Sequence, residues 1–164
     1  MAYLLDANVF IAAKNLHYGF DFCPAFWEWI LEKSESGIVL SIEKVGDELA
    51  ALEDDLSSWA DERGPLFFIR PDASVFPALA TVSAWASGRG YESSAVSTFL
   101  QVADYYLVAQ ALAGRHIVVT HEVPSASTRK IKIPDACIGL DIKFMTPYEM
   151  LRAERARFVL GAQT

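Results

Sequence analysis

No apolar run in this sequence approaches the ~18 residues that a membrane-spanning helix requires, so no membrane association is expected. Cysteine is scarce. Cys23 and Cys137 lack zinc-like spacing, and the pattern offers no disulfide framework. His17, His116 and His121 have no partner at ligand spacing and read as surface residues; only His121, beside an acid, merits a test. The N-terminus shows no basic segment followed by an apolar one, so no secretory signal is visible and a cytoplasmic location with reduced thiols is expected. Internal repeats and low-complexity tracts are missing too. Positive charge is in deficit, with 14 Lys and Arg against 21 Asp and Glu and a net charge of -7. That balance argues against broad, nonspecific nucleic-acid binding, which needs a positive field. It leaves room for a nuclease whose clustered carboxylates hold divalent cations, because the metal then carries the positive charge.

Apolar bulk is what the chain does have. Hydrophobic residues make up 52% of 164 positions, enough for a sizeable core in one domain over residues 1–164. Tyr3-Leu4-Leu5 is too short and apolar for a helix of its own. It reads as a buried strand that ends on Asp6, with Asn8 two residues on and a helix over Val9 to Lys14. An acid at the carboxyl end of a strand lies where open parallel sheets bind ligands, although a strand-end Asp is also an ordinary helix cap. Short strands are expected again at Ile38-Val39-Leu40, Leu66 to Ile69, Ile117 to Thr120 and Ile142 to Met145, with helical segments between them. The alternation predicts a parallel α/β sheet. Pro24 opens a helix that ends before Gly37. Ser41 is expected to cap a helix reaching about Leu56, and Asp72 the helix carrying Val75, Leu79, Val82 and Trp85. Pro147 opens the last helix.

Helical geometry sorts the acids. With Val45, Leu49 and Leu52 as the apolar stripe, Glu48 falls about 60° from Val45 at ~100° per residue. Glu43 and Asp47 fall on the watery side, and Asp54 and Asp55 read as surface charge. Between Ser93 and Gly114 a helix with a break near Gln101 to Asp104 is expected. Asp104 sits within the stripe of Leu100, Leu107, Val108 and Ala111, either as the cap of a helix starting at Tyr105 or as an inward carboxylate. The strand ending Thr120-His121-Glu122 repeats the strand-then-acid pattern of the opening. Packed together, Asp6, Glu48, Asp104 and Glu122 would repel and some would be forced to protonate. Divalent metal resolves that conflict, and all-oxygen ligation suits Mg²⁺ or Mn²⁺. Two basic groups, Arg129-Lys130-Lys132 and Arg152-Arg155-Arg157, are either solvated faces or tracks for a phosphate backbone.

The segments LLDANVF at the start, VGDEL after the second strand, ADYYLVAQA in the later helix and VVTHE at the fourth strand resemble, in order, those of PIN-domain ribonucleases, VapC-type toxins included. HYGFDFCPAFWEWI and KIKIPDAC are similar to a PIN-like subgroup of bacterial genomes. The resemblance implies a PIN-like α/β/α sandwich with about five parallel strands in the order 3-2-1-4-5. It implies a Mg²⁺- or Mn²⁺-dependent endoribonuclease that hydrolyses RNA phosphodiester bonds, the toxin of a toxin–antitoxin pair. Asp6, Glu48, Asp104 and Glu122 would be the catalytic, metal-binding acids, and Asn8 and Thr120 would order the site. Arg129, Lys130 and Lys132 would hold the RNA backbone. Glu122 departs from the family, which usually has Asp there. Asp135 is a further acid or the cap of a turn. Partners implied are an RNA substrate and a cognate antitoxin, with a homodimer among the assemblies allowed; the aromatic segment from Tyr18 to Trp29 is the expected protein contact. The alternative is a PIN-like interaction module that has lost catalysis.

Overall fold

The computed structural model describes residues 1–161. Its sheet is built from β1 (Tyr3–Leu5), β2 (Val39–Ile42), β3 (Phe68–Ile69), β4 (Ile117–Val119) and β5 (Phe144–Met145), all parallel, in the order β3-β2-β1-β4-β5. This is the order that the resemblance implied. β1 is central, pairing Tyr3 with Val39 on one side and Leu5 with Val119 on the other. Leu4, Leu5, Val118 and Val119 are all fully buried, which is why β1 and β4 are apolar without alternation: both faces are covered.

The helices are α1 (Ala7–Ala12), α2 (Pro24–Glu35), α3 (Glu43–Ala50), α4 (Asp55–Asp61), α5 (Val75–Ser87), α6 (Ser93–Phe99), α7 (Ala103–Gly114), α8 (Ile133–Gly139) and α9 (Pro147–Ala153). A π-helical stretch, Ala13–His17, continues α1, so the helical path runs past Lys14. One contiguous core joins the sheet to the helices on it, with Phe10, Phe26, Ile30, Leu49, Leu107 and Met150 among its largest buried members. α3 approaches β3 closely at Gly46, where a Cβ would stand 2.8 Å from Cγ of Phe68.

Several local expectations are corrected. Ser41 does not cap a helix; it lies in β2, buried, and its hydroxyl donates to the Leu5 carbonyl at 2.6 Å. The helix expected to run to Leu56 stops at Ala50, and a new one starts after Asp54. Asp54 is therefore a capping residue: its carboxylate accepts from the Ser57 amide at 3.0 Å, the Ser57 hydroxyl lies 2.9 Å from the Asp54 amide, and Lys14 pairs with it at 3.1 Å. Ser74 occupies the N-cap of α5, while Asp72 accepts from the Ser74 amide just upstream. The aromatic segment is mostly interior. Tyr18 stacks on Phe26 with centroids 4.4 Å apart, and Phe20 stacks on Trp27 at 4.2 Å. Trp27 is 3% exposed and donates its indole N–H to the Tyr18 carbonyl at 2.7 Å, which leaves Phe22, at 66%, as the exposed aromatic of the loop. His116 is half-buried, accepting from the Ala2 amide at 3.0 Å. Among the described residues, no helix is long and apolar enough to cross a membrane.

Candidate active-site cleft

Chain order reverses its direction of growth at β1, where β2 and β4 flank it. Such a switch opens a crevice at the carboxyl ends of the strands. Asp6 leaves β1 directly into that crevice, and Glu122, just past the end of β4, enters it as well, while His121 before it packs against His17 and Tyr148. α3 brings Glu48 from one side, and the first turn of α7 brings Asp104 from another. The result is a cleft of about 570 Å³ whose lining includes Asp6, Asn8, Glu48, Asp104, Glu122 and Lys130.

Asp6 is the deepest of the acids, 5% exposed. It occupies the N-cap position of α1 without making a side-chain cap bond, so the bland reading of a strand-end Asp does not describe it. Its Oδ2 instead accepts from the Thr120 hydroxyl at 2.9 Å. That hydroxyl has one proton to give and two lone pairs, and both receive donors: Asn8 Nδ2 at 3.3 Å and the Glu122 amide at 3.1 Å. Asn8 Oδ1 accepts from the His121 amide at 3.2 Å. Asn8 and Thr120 thus tie the end of β1 to the end of β4.

The electrostatics follow from this crowding. Burial, then the charge of Asp104 and of Glu122, pushes the Asp6 carboxyl up to about 8, against the opposing pull of the Thr120 hydroxyl. Asp104 is pushed up to about 6 by burial, Glu122 and Glu48, with the Lys130 ammonium opposing. Glu48 opens to solvent on one side, yet partial burial still raises it. Asp104 is the second residue of α7, whose N-cap is Val102, so it is not the cap of a helix starting at Tyr105; it faces the cleft.

Glu122 has a second occupation. Its Oε2 accepts from the Ile133 amide, the first residue of α8, at 2.8 Å. Asp135, in the first turn of α8, accepts from the Ser125 amide at 3.1 and 3.3 Å. These bonds close the loop 123–132 at its base and fix the segment that carries the basic residues. Of those, Lys130 lines the cleft and the cavity beside it, Arg129 lines that cavity alone, and Lys132 stands at the N-cap of α8, lining neither.

Sequence reasoning overlooked Lys44, Thr98 and Gln101, which also line the cleft. Lys44 was findable, because it lies four residues before Glu48 on the same helix face; its ammonium sits 5.0 Å from the centroid of the Tyr106 ring. Thr98, in the last turn of α6, and Gln101, in the α6–α7 break, carried no periodic signal. The donor chemistry of the cleft, all carboxylate oxygen, fits a hard divalent cation. Among the described residues no three acidic, imidazole or thiol groups close at metal-holding separation.

Residues 3–158 match the family described as Domain of unknown function (DUF4411). The chain belongs to that family. No curated protein matches this DUF4411 sequence. Among solved structures it is similar to a chain in "Structure of FitAB bound to IR36 DNA fragment", with TM-score 0.53 and 20% identity over 89% of this chain and 95% of that one. It is similar also to a chain in "Crystal Structure of FitAcB from Neisseria gonorrhoeae", with TM-score 0.53 and 20% identity over 89% and 98%. At that identity the likeness concerns the fold: this DUF4411 chain is a PIN-like α/β sandwich with a parallel sheet in the order 3-2-1-4-5.

Proposed function

We propose that this protein is a divalent-metal-dependent endoribonuclease that hydrolyses RNA phosphodiester bonds in the cleft between β1, α3, α7 and β4. The observation that carries the reading is the convergence of Asp6, Glu48, Asp104 and Glu122, from four separate segments, on one cleft. Forcing carboxyls together until two of them are pushed up to about 8 and about 6 opposes folding; sites that retain such a conflict are candidates for function. Asp6 and Asp104 are the residues that would hold Mg²⁺ or Mn²⁺ directly, with Glu48 and Glu122 reaching it through water. A bound divalent cation supplies Lewis acidity to water and positive charge opposite the phosphoryl oxygens. Thr120 and Asn8 hold the Asp6 carboxylate in place, and Lys130 offers its ammonium to a backbone phosphate, giving an acidic protein a local foothold for RNA. Arg129 and Lys132, on the rim, serve phosphates further along the strand.

The likeness to the FitAB chains supports a role as the toxin of a toxin–antitoxin pair, with a cognate antitoxin protein as partner and a homodimer as one assembly to test. The second reading is an inactive PIN-like interaction module, favoured by the engagement of Glu122 with Ile133 and by the lack of a closed ligand triad among the described residues. End-labelled RNA incubated with the purified protein separates them. The nuclease reading expects cleavage with Mn²⁺ or Mg²⁺, none in chelator, and a loss of roughly a hundred-fold or more in Asp104→Asn at unchanged circular dichroism. Cleavage indifferent to Asp6→Asn and Asp104→Asn rejects it.

A further inference from the structure

Beside the acidic cleft lies a second cavity of about 240 Å³. Thr98, Val102, Asp104 and Lys130 line both, so the two adjoin at the α6–α7 break. Their walls differ. The second cavity is backed by Ala95, Phe99 and Ile131, which are buried apolar residues, with Val102 at its edge. Its rim carries hydroxyls from Ser94 and Thr98 and the cations of Arg129 and Lys130. Lys130 makes no ion pair within 4 Å among the described residues, and Arg129 reaches Glu92 only at 3.9 Å. Both cations are therefore available to an anionic ligand. The volume is below the range of drug-sized pockets and suits one flat ring system rather than an extended ligand.

Resting on the nuclease reading above, we propose that this cavity is a nucleobase subsite: it takes one unstacked base of a single-stranded RNA whose neighbouring phosphate lies at Lys130, next to the acids. An apolar slot flanked by cations matches the two halves of a nucleotide, a hydrophobic face and a phosphate. A paired helix cannot enter it, because its bases are stacked and its edges turned inward. The two basic residues divide the work by position: Lys130, shared by both cavities, holds the phosphate between them, and Arg129 holds the one beyond the inserted base. The stapled base of the loop 123–132 keeps both cations registered on the slot. The enzyme would then cut single strands, at a fixed distance from the base that fills the cavity.

The test is equilibrium binding of a fluorescein-labelled oligoribonucleotide to the full chain carrying Asp6→Asn, which leaves the RNA uncut. The ligand is compared with versions in which each nucleotide in turn is abasic. The proposal expects one position at which loss of the base weakens binding by roughly ten-fold. It further expects Ser94→Trp, which fills the mouth of the cavity from an exposed position, to weaken the intact ligand equally and to abolish the difference between intact and abasic. Binding that ignores base removal at every position, or that Ser94→Trp leaves untouched, overturns the subsite and leaves the nuclease reading standing. Failure to bind any oligoribonucleotide overturns both.

Discussion

The Thr120 hydroxyl donates to Oδ2 of Asp6 at 2.9 Å, across 114 positions of sequence. With Asn8 Nδ2 and the Glu122 amide donating to it in turn, this hydroxyl joins the ends of the two strands that lead into Asp6 and Glu122. Thr120→Val removes the donor from Asp6 and the acceptor from both others in a buried place. It should cost roughly 1–3 kcal/mol in urea unfolding, while Thr120→Ser, which keeps the hydroxyl, stays near wild type. Equal losses in the two variants would mean that the methyl packing, not the hydroxyl, matters there.

Asp6 itself destabilises the fold as pH rises. Its folded-state value of about 8 lies above the ordinary 3.8. Between those values the native state holds a proton that the unfolded chain has released, so the contribution is full below pH 4 and is lost as pH rises through about 8. Asp6→Asn keeps an oxygen to accept from Thr120 and cannot ionise. In chelator at pH 8 it should melt above wild type by roughly 5 °C, and the gap should close toward pH 4. A variant less stable than wild type at pH 8 would contradict the assignment.

Glu122 stands at the junction of site and loop. Glu122→Gln retains an acceptor for the Ile133 amide and should fold with near-native stability while RNA cleavage falls. Glu122→Ala should also free the loop, seen as amide hydrogen exchange at Ile133 and Ser125 accelerated by roughly ten-fold or more. Equal exchange in Gln and Ala variants would show that the 2.8 Å bond does not hold the loop.

Packing behind the site gives a further check. Gly46→Ala places a methyl 2.8 Å from the Phe68 ring, closer than van der Waals contact allows, on the helix that carries Glu48. Helix propensity favours Ala, but overpacking should win, with a net loss of roughly 1–3 kcal/mol. A more stable Gly46→Ala protein would show that Phe68 moves aside freely.

Most of this architecture was legible because its decisive signals are local. Leu4-Leu5 before Asp6 and Val118-Val119 before Thr120 announce covered strands, and the 3.6-residue period places Glu48 and Asp104 beside apolar stripes. The misreadings share one cause: short polar residues whose partners are remote. Ser41 looks identical as a helix cap or as a buried donor to Leu5. Asp54 looks like surface charge until Ser57 and Lys14 arrive around it. α8, only 7 residues long, is too brief for periodicity to show, so Asp135 gave no hint that it pins Ser125. The Tyr18–Trp29 aromatics carry no mark that separates a packed ring from a presented one. The reach of Glu122 to the Ile133 amide is likewise a remote partnership that sequence alone does not reveal.

The central claim, that the four acids form one cation site, is tested most directly by calorimetric titration of Mn²⁺ into the metal-free protein. Because cations bind deprotonated carboxylates and Asp104 and Asp6 are pushed up to about 6 and about 8, the account predicts saturable binding that tightens from pH 5 to pH 8 and disappears in Asp104→Asn. Absence of binding at pH 8, or binding of equal strength in Asp104→Asn, would contradict it.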